Sequence, residues 1–302
     1  GLFLAAGKTG REGCGVNPVP GVSNIVGAPD VGASTRFLAG HRRAEGPESG
    51  RTPRELLADP GSRLKALVVA DRDEEIVRHA ARIKGLDLLL YIGAYTNPFA
   101  DLAHVVLPAA SSAEADGTFT NAERRVQLNR KKVEPPPGVR PAWRVYADLA
   151  AKLGAAWTFD SAEAVMAGIA AAVPAYAGVT YAKLERGHGL QWPVDAARPD
   201  GTVRLDAAAG PRRLRFVAIP ASLPSPAPSA EFPFLLMAGK ANYFWHRNNV
   251  MKKTQIPRRE YNALLLLYPR GFVEVAASDA KALGLRDRAS VDVVAAGGSM
   301  RV

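Results

Sequence analysis

Residues 114–125 hold the densest set of groups that could do chemistry: Glu114, Asp116, Gly117, Thr118, Thr120, Asn121, Glu123, Arg124 and Arg125. Two adjacent guanidiniums can grip phosphate or carboxylate oxygens through paired N–H donors. The hydroxyls, the amide and the backbone N–H groups around them add further donors. Immediately upstream, Val105, Val106 and Leu107 form an apolar run stopped by Pro108, which reads as the end of a buried strand. Ligands of open α/β sheets bind outside the carboxyl ends of the strands. The spacing therefore predicts a ligand-binding loop after that strand, with a phosphorylated ligand the best match. A polar surface loop with solvated charges is the plainer alternative.

A second set lies near the end of the chain. Gly239-Lys240 is followed by Phe244, Trp245, His246, Arg247, Asn248 and Asn249, and then by Lys252, Lys253 and Thr254. Such a run could stack on a base and hold phosphate. Equally, Trp245 could be core, His246 a satisfied structural histidine and the lysines a solvated face. His41, His79, His104 and His188 are scattered and read as structural or surface residues. Walker loops, H-E-x-x-H, EF-hand and G-x-S-x-G motifs are missing from the sequence.

The elements that must carry these groups follow from the apolar spacing. Segments 64–70 (LKALVVA), 86–92 (LDLLLYI) and 104–107 read as buried strands, with an amphipathic helix over 73–84 and a turn and short helix start over 96–100. Strands alternating with helices predict a parallel, doubly wound sheet. Thr52, Pro53 and Glu55 mark a helix start by N-cap, first-turn proline and capping-box chemistry. Residues 142–173 show helical spacing twice, with Asp160 or Ser161 as the second N-cap. Residues 10–34 carry too much Gly, Pro and Asn for a helix or a continuous strand, and predict a long ordered loop or a linker. The proline-rich stretch 220–233 is the best domain boundary. Beyond it, strands are expected at 234–239, 271–275 and 289–295, and a helix over 278–283 capped by Ser278.

The chain has 302 residues, of which 47% are hydrophobic, enough for roughly two domains. Its net charge of +10 admits nucleic acid, an anionic membrane, phosphate-bearing cofactors or acidic partners. The sequence lacks a basic run interleaved with aromatics, so nucleic acid is set aside in favour of phosphate cradling and docking on neighbouring subunits. Cys14 is the single cysteine, which excludes a disulfide framework and a local iron–sulfur or zinc motif, and fits a reducing compartment. No apolar run reaches the roughly 18 residues of a bilayer span. The chain lacks an initiator Met and stops in a strand-like run, so an internal piece of a longer polypeptide is expected.

The stretch 107–127, LP-A-x(4)-E-x-DGTFTN-x-ERRVQ, resembles the molybdopterin oxidoreductase family. So do the loop GREG-x-GVNPV near the start, Pro136, Gly138, Pro141 and Trp143 after the motif, and Gly189-Leu190-Gln191-Trp192-Pro193. The resemblance implies an α/β protein: a doubly wound, Rossmann-like sheet domain followed by the start of a six-stranded double-psi β-barrel domain. It divides the chain into a Gly-rich region completing an upstream domain (1–50), the α/β domain (51–175), a connecting segment and linker (176–232) and a truncated dinucleotide-binding barrel (233–302). It also implies molybdopterin guanine dinucleotide, with Asp116, Gly117, Thr118, Asn121, Arg124, Arg125, Lys240 and His246 as cofactor-binding residues.

Three departures weigh on the activity. Pro20 stands where active formate dehydrogenases of the family carry arginine, and Val22 where they carry glutamine. Neither side chain can orient a carboxylate or stabilise its charge. The turn 70–73, with Asp71 and Asp73, replaces a G-x-N-P turn near the diphosphate, although Asp73 could simply cap a helix. Asn17, Ser23, Asn24 and Asp30 keep the loop's shape. The expectation favoured is an electron-transfer subunit of NADH-quinone oxidoreductase on this fold. It would carry no catalytic or metal-ligating residue in this stretch and have iron–sulfur clusters on the missing N-terminal part. Its partners would be other redox subunits, and its place cytoplasmic, meeting the inner membrane only through those partners. The alternative is a molybdenum or tungsten bis-pterin oxidoreductase such as a formate dehydrogenase alpha subunit.

Overall fold

The computed structural model describes residues 2–18, 23–46, 49–70, 79–96, 98–205, 228–237 and 272–302. The chain divides into two compact units, Gly1–Val217 and Ala218–Val302.

In the first unit, helical turns α1 (Leu2–Ala5) and α2 (Gly27–Asp30) flank the Gly-rich loop, and a small hairpin pairs β1 (Phe37–Leu38) with β2 (Arg42–Arg43). The turn at 27–30 corrects the expectation that this stretch holds no helix. Helix α3 (Pro53–Ala58) starts as the sequence predicts. Thr52 Oγ1 accepts from the Glu55 N–H at 3.2 Å, and the Glu55 carboxylate accepts from the Thr52 N–H at 2.7 Å. Two orphan donors of the first turn are thereby satisfied.

Strands β3 (Ala66–Ala70), β4 (Leu88–Gly93) and β5 (Val105–Pro108) form a parallel sheet in that order. Short helices α4 (Ala80–Lys84) and α5 (Pro98–Leu102) lie in the two connections. The central strand explains the apolar run, because successive side chains take opposite faces. Leu89 and Tyr91 pack with Val69, Ile83, Phe99 and Leu57, while Leu90 and Ile92 pack with Ala109 and Val145 on the other side. Burying each such side chain stabilises the fold by about 1.5–3 kcal/mol. His104 is structural, its Nδ1 accepting from the Leu89 N–H at 2.8 Å. The helix expected over 73–84 is seen at Ala80–Lys84, and residues 71–78, with the turn read at 70–73, lie outside the described residues.

A second three-stranded sheet is antiparallel, in the order β6 (Gly117–Thr120), β7 (Arg125–Asn129) and β8 (Leu190–Gln191). Here the structure corrects the sequence reading, which has a loop. Thr118 faces Leu128 and Thr120 faces Val126 across a hairpin. The polar residues masked a period-2 alternation of β-branched and apolar side chains. Helices α6 (Ala142–Lys152), α7 (Ala162–Ala172) and α8 (Tyr181–Glu185) complete the unit. Ser161 caps α7, its Oγ accepting from the Ala164 N–H at 3.0 Å. Val126 anchors an apolar cluster with Met166, Val173, Tyr176, Val179 and Val194, against which Trp192 packs.

The second unit shows helix α9 (Ala277–Ala282) and a hairpin of β9 (Asp292–Ala295) with β10 (Gly298–Arg301). The helix starts one residue early for the expected cap. Ala276 sits at the N-cap, and Ser278 lies inside the helix. Residues 272–276 and 234–237 are not strands. Among the described residues no sheet closes into a barrel, and no helix is long and apolar enough to cross a membrane. Lys240, His246 and most of the proline-rich stretch lie outside the described residues.

Candidate functional site

The β6–β7 hairpin brings six of the predicted site residues together and engages most of their polar atoms within the chain. The Asp116 carboxylate accepts from the Lys131 N–H at 2.7 Å and from Arg130 Nη1 at 3.4 Å. Asn121 Oδ1 accepts from the N–H groups of Glu123 and Arg125 at 2.9 and 3.0 Å, which builds the tight turn. That turn holds Arg124 at φ 64°, left-handed backbone that a non-glycine residue adopts only under constraint.

The constraint is the Arg124 side chain. Its guanidinium donates to the Trp192 carbonyl through Nη1 and to the Thr202 and Val203 carbonyls through Nη2, each of the latter at 3.2 Å. It also lies over the Trp192 ring, 5.3 Å from the centroid. Burial among carbonyls holds its pKa below the usual arginine range. Arg125 reaches Glu123 and the Gly189 carbonyl at 3.3 and 3.4 Å. Thr118 Oγ1 lies 3.7 Å from Met166 Sδ. Gly117 faces open space.

The other side of the hairpin carries a buried polar chain. The Asp30 carboxylate, 1% exposed, accepts from Tyr176 Oη at 2.6 Å and pairs with His41 Nε2 at 2.5 Å. Tyr176 Oη is 2.9 Å from Thr120 Oγ1, and the Thr120 N–H donates to Asn24 Oδ1 at 2.9 Å. Burial, with the Asp30 acceptor second, pushes the Tyr176 phenol far above its ordinary value. A Cβ at Gly27 would lie 2.3 Å from Asn24 Oδ1 and 2.9 Å from Thr120 Oγ1, so glycine is required there for the close approach. Asn24 and Asp30 thus hold the loop by its shape, as their types suggest. Tyr176 and His41 escaped the sequence reading because no local pattern links them to Asp30. Pro20 and Val22 lie outside the described residues.

A diphosphate needs uncommitted N–H donors and positive charge. The terminal nitrogens of Arg124 are engaged by the chain itself, the Asn121 oxygen and the Asp116 carboxylate accept from neighbouring donors, and Asp116 adds negative charge. These contacts clamp the hairpin to the rest of the chain, with Gly117 left facing open space. Among the described residues no cluster of His, Cys, Asp and Glu is arranged to hold a metal.

A family profile described as molybdopterin oxidoreductase matches residues 1–152, half of the chain, and the protein belongs to that family. The family implies a molybdopterin cofactor and oxidoreductase chemistry. F420-dependent formate dehydrogenase 1 subunit alpha of Methanococcus maripaludis is 32% identical over 97% of this chain and 46% of its own length. The F420-dependent formate dehydrogenase subunit alpha of Methanocaldococcus jannaschii is 32% identical over 99% of this chain and 47% of its own. A second M. maripaludis subunit, of F420-dependent formate dehydrogenase 2, is 32% identical over 97% and 46%. The chain spans about half the length of these curated relatives.

These relatives overturn the expectation of an NADH-quinone oxidoreductase subunit. That reading weighted Pro20, Val22 and the 70–73 turn, a few side chains at one site. The likeness to formate dehydrogenase alpha subunits runs along the whole chain and favours the alternative.

Proposed function

We propose that this chain is part of the catalytic alpha subunit of a molybdenum or tungsten bis-pterin oxidoreductase of the formate dehydrogenase kind. The observation that carries this reading is the 32% identity to formate dehydrogenase alpha subunits over 97% of the chain. The reaction removes two electrons and one proton from formate to give carbon dioxide, with the electrons passed to partner redox subunits. The cofactor supplies the two-electron acceptor when bound, in the guanine dinucleotide form expected of the family. Iron–sulfur clusters, with Cys14 the single cysteine here, would sit on chain outside these residues.

In this reading residues 51–175 are the α/β domain and 233–302 begin the dinucleotide-binding domain, with Lys240 and His246 toward the cofactor. The hairpin residues Gly117, Thr118 and Arg125 border it, and Asp116, Asn121 and Arg124 keep that border in shape. Substrate is oriented by groups other than Pro20 and Val22, whose side chains have no donor.

The test is metal and pterin content of the full-length subunit from its native host, followed by formate-dependent reduction of a dye. About one molybdenum or tungsten per chain with oxidised-pterin fluorescence and dye reduction is expected, by the metal-site stoichiometry of one active centre. A subunit with iron but neither metal nor pterin would overturn the proposal.

A further inference from the structure

We propose that Arg124 ties the β6–β7 hairpin to the 189–203 segment and is not a ligand to the cofactor's phosphates. A guanidinium offers oxygen acceptors two bidentate edges, and each edge uses at least one of the two terminal nitrogens. Both terminal nitrogens of Arg124 are directed at main-chain carbonyls, Nη1 at Trp192 and Nη2 at Thr202 and Val203. Three of its five N–H donors are used in this way, and neither bidentate edge keeps both of its nitrogens free for a phosphate. The face of the group is covered as well, by the Trp192 ring.

The backbone of the same residue continues the tie. The Arg124 carbonyl accepts from the Trp192 N–H at 3.1 Å, and the Arg124 N–H donates to the Asn121 carbonyl at 3.0 Å. The segment it binds is folded back on itself. Thr202 donates from its N–H to the Gln191 carbonyl at 2.8 Å and from its hydroxyl to the Pro193 carbonyl at 2.7 Å. Gly201, at φ 88°, lets the two arms approach: a Cβ there would lie 2.6 Å from the Gln191 oxygen. The fold-back converges the carbonyls of residues 192, 202 and 203 on one point. A converging set of carbonyl dipoles is a cation site, and Arg124 supplies the cation from its left-handed backbone position. No carboxylate lies within ion-pair distance of it among the described residues. The tie is a property of the polypeptide and is complete before any cofactor binds.

The inference rests on the family reading only for the expectation that a pterin binds nearby, so the experiment keeps the two apart. The full-length subunit is produced in a host unable to make molybdopterin, as wild type and as Arg124→Lys and Arg124→Ala, and amide hydrogen exchange is followed by mass spectrometry. Wild type is expected to protect residues 189–203 fully without pterin. Both substitutions are expected to speed exchange there by about tenfold or more, with β3–β5 unchanged, because such local opening is read separately from global unfolding. Lysine is expected to fail with alanine, since one ammonium cannot reproduce a planar fork on three carbonyls.

Wild-type protection of 189–203 that develops only when the same subunit is made with pterin would overturn the proposal, and this arm needs no variant to fold. So would variants that exchange like wild type when pterin-free yet carry less pterin when loaded. A wild-type subunit that takes up no pterin in a competent host would defeat the family reading in Proposed function. The pterin-free exchange result would still decide the role of Arg124.

Discussion

The two three-stranded sheets of the first unit are held by opposite means. The parallel sheet β3–β5 is gripped on both faces by apolar side chains, with Leu89, Tyr91 and Ile92 essentially inaccessible. The antiparallel sheet β6–β8 rests on an apolar cluster around Val126, but its links to the rest of the chain are polar: Thr120 to Tyr176 and Asp30, Thr120 to Asn24, and Arg124 to three carbonyls. Apolar burial is non-directional and sets which layers meet. Buried hydrogen bonds are directional, and fix one arrangement because any other leaves a group unpaired. The hairpin is thus the sheet held by directional contacts.

Substitutions can break this contrast in order of effect. Leu89→Ala in the parallel sheet is expected to lower the free energy of unfolding by about 3 kcal/mol in urea titrations, from lost transfer energy plus a cavity. A loss well under 1 kcal/mol would mean that the sheet is not the core. Asp30→Ala removes a buried partner from both Tyr176 Oη and His41 Nε2 and is expected to cost about 2 kcal/mol, with Tyr176→Phe costing about 1 kcal/mol. The double substitution should fall short of the sum, since both remove one shared link. Strict additivity in that cycle would show that Asp30 and Tyr176 act independently.

The same tyrosine sharpens the contrast through pH. Its folded-state pKa is raised, by burial first and Asp30 second, from an ordinary value of 10.0. Above pH 10 the unfolded chain therefore releases a proton that the folded chain keeps, and stability falls as pH rises. Tyr176→Phe should flatten that alkaline decline, measured as the urea midpoint between pH 9 and 11 (roughly the window the linkage relation sets). An unchanged slope would remove Tyr176 from the account. Thr52→Ala, in neither sheet, is expected to cost about 1 kcal/mol by loss of the N-cap. At the smallest end, Arg198→Ala breaks an exposed pair with Asp195 and should leave the melting temperature unaltered.

How much of this was legible in the sequence follows the same divide. The strands of the parallel sheet, the caps Thr52 and Ser161 and the family motif can all be read from neighbouring residues. The hairpin strands read as a loop, since polar residues surround and interrupt them while the alternation that makes them strands is only four and five residues long. The contacts of Arg124 are not legible because a motif names a residue but not its partners, and those partners are main-chain carbonyls far along the chain. Asp30 could be noticed as an acid in an otherwise small-residue loop. Its pairing with Tyr176 and His41 is purely tertiary.

The bond from Tyr176 to Asp30 joins positions 146 residues apart, and β7 meets β8 across more than 60 residues, since Arg125 pairs with Gln191. Closing such long stretches of chain carries an entropic penalty before any contact rewards it, whereas β3, β4 and β5 follow one another closely. The Gly-rich loop is made before Tyr176, and its buried carboxylate is paired with that phenol only once the later segment has followed. The parallel sheet, whose strands are close in sequence, can consolidate without waiting for Tyr176.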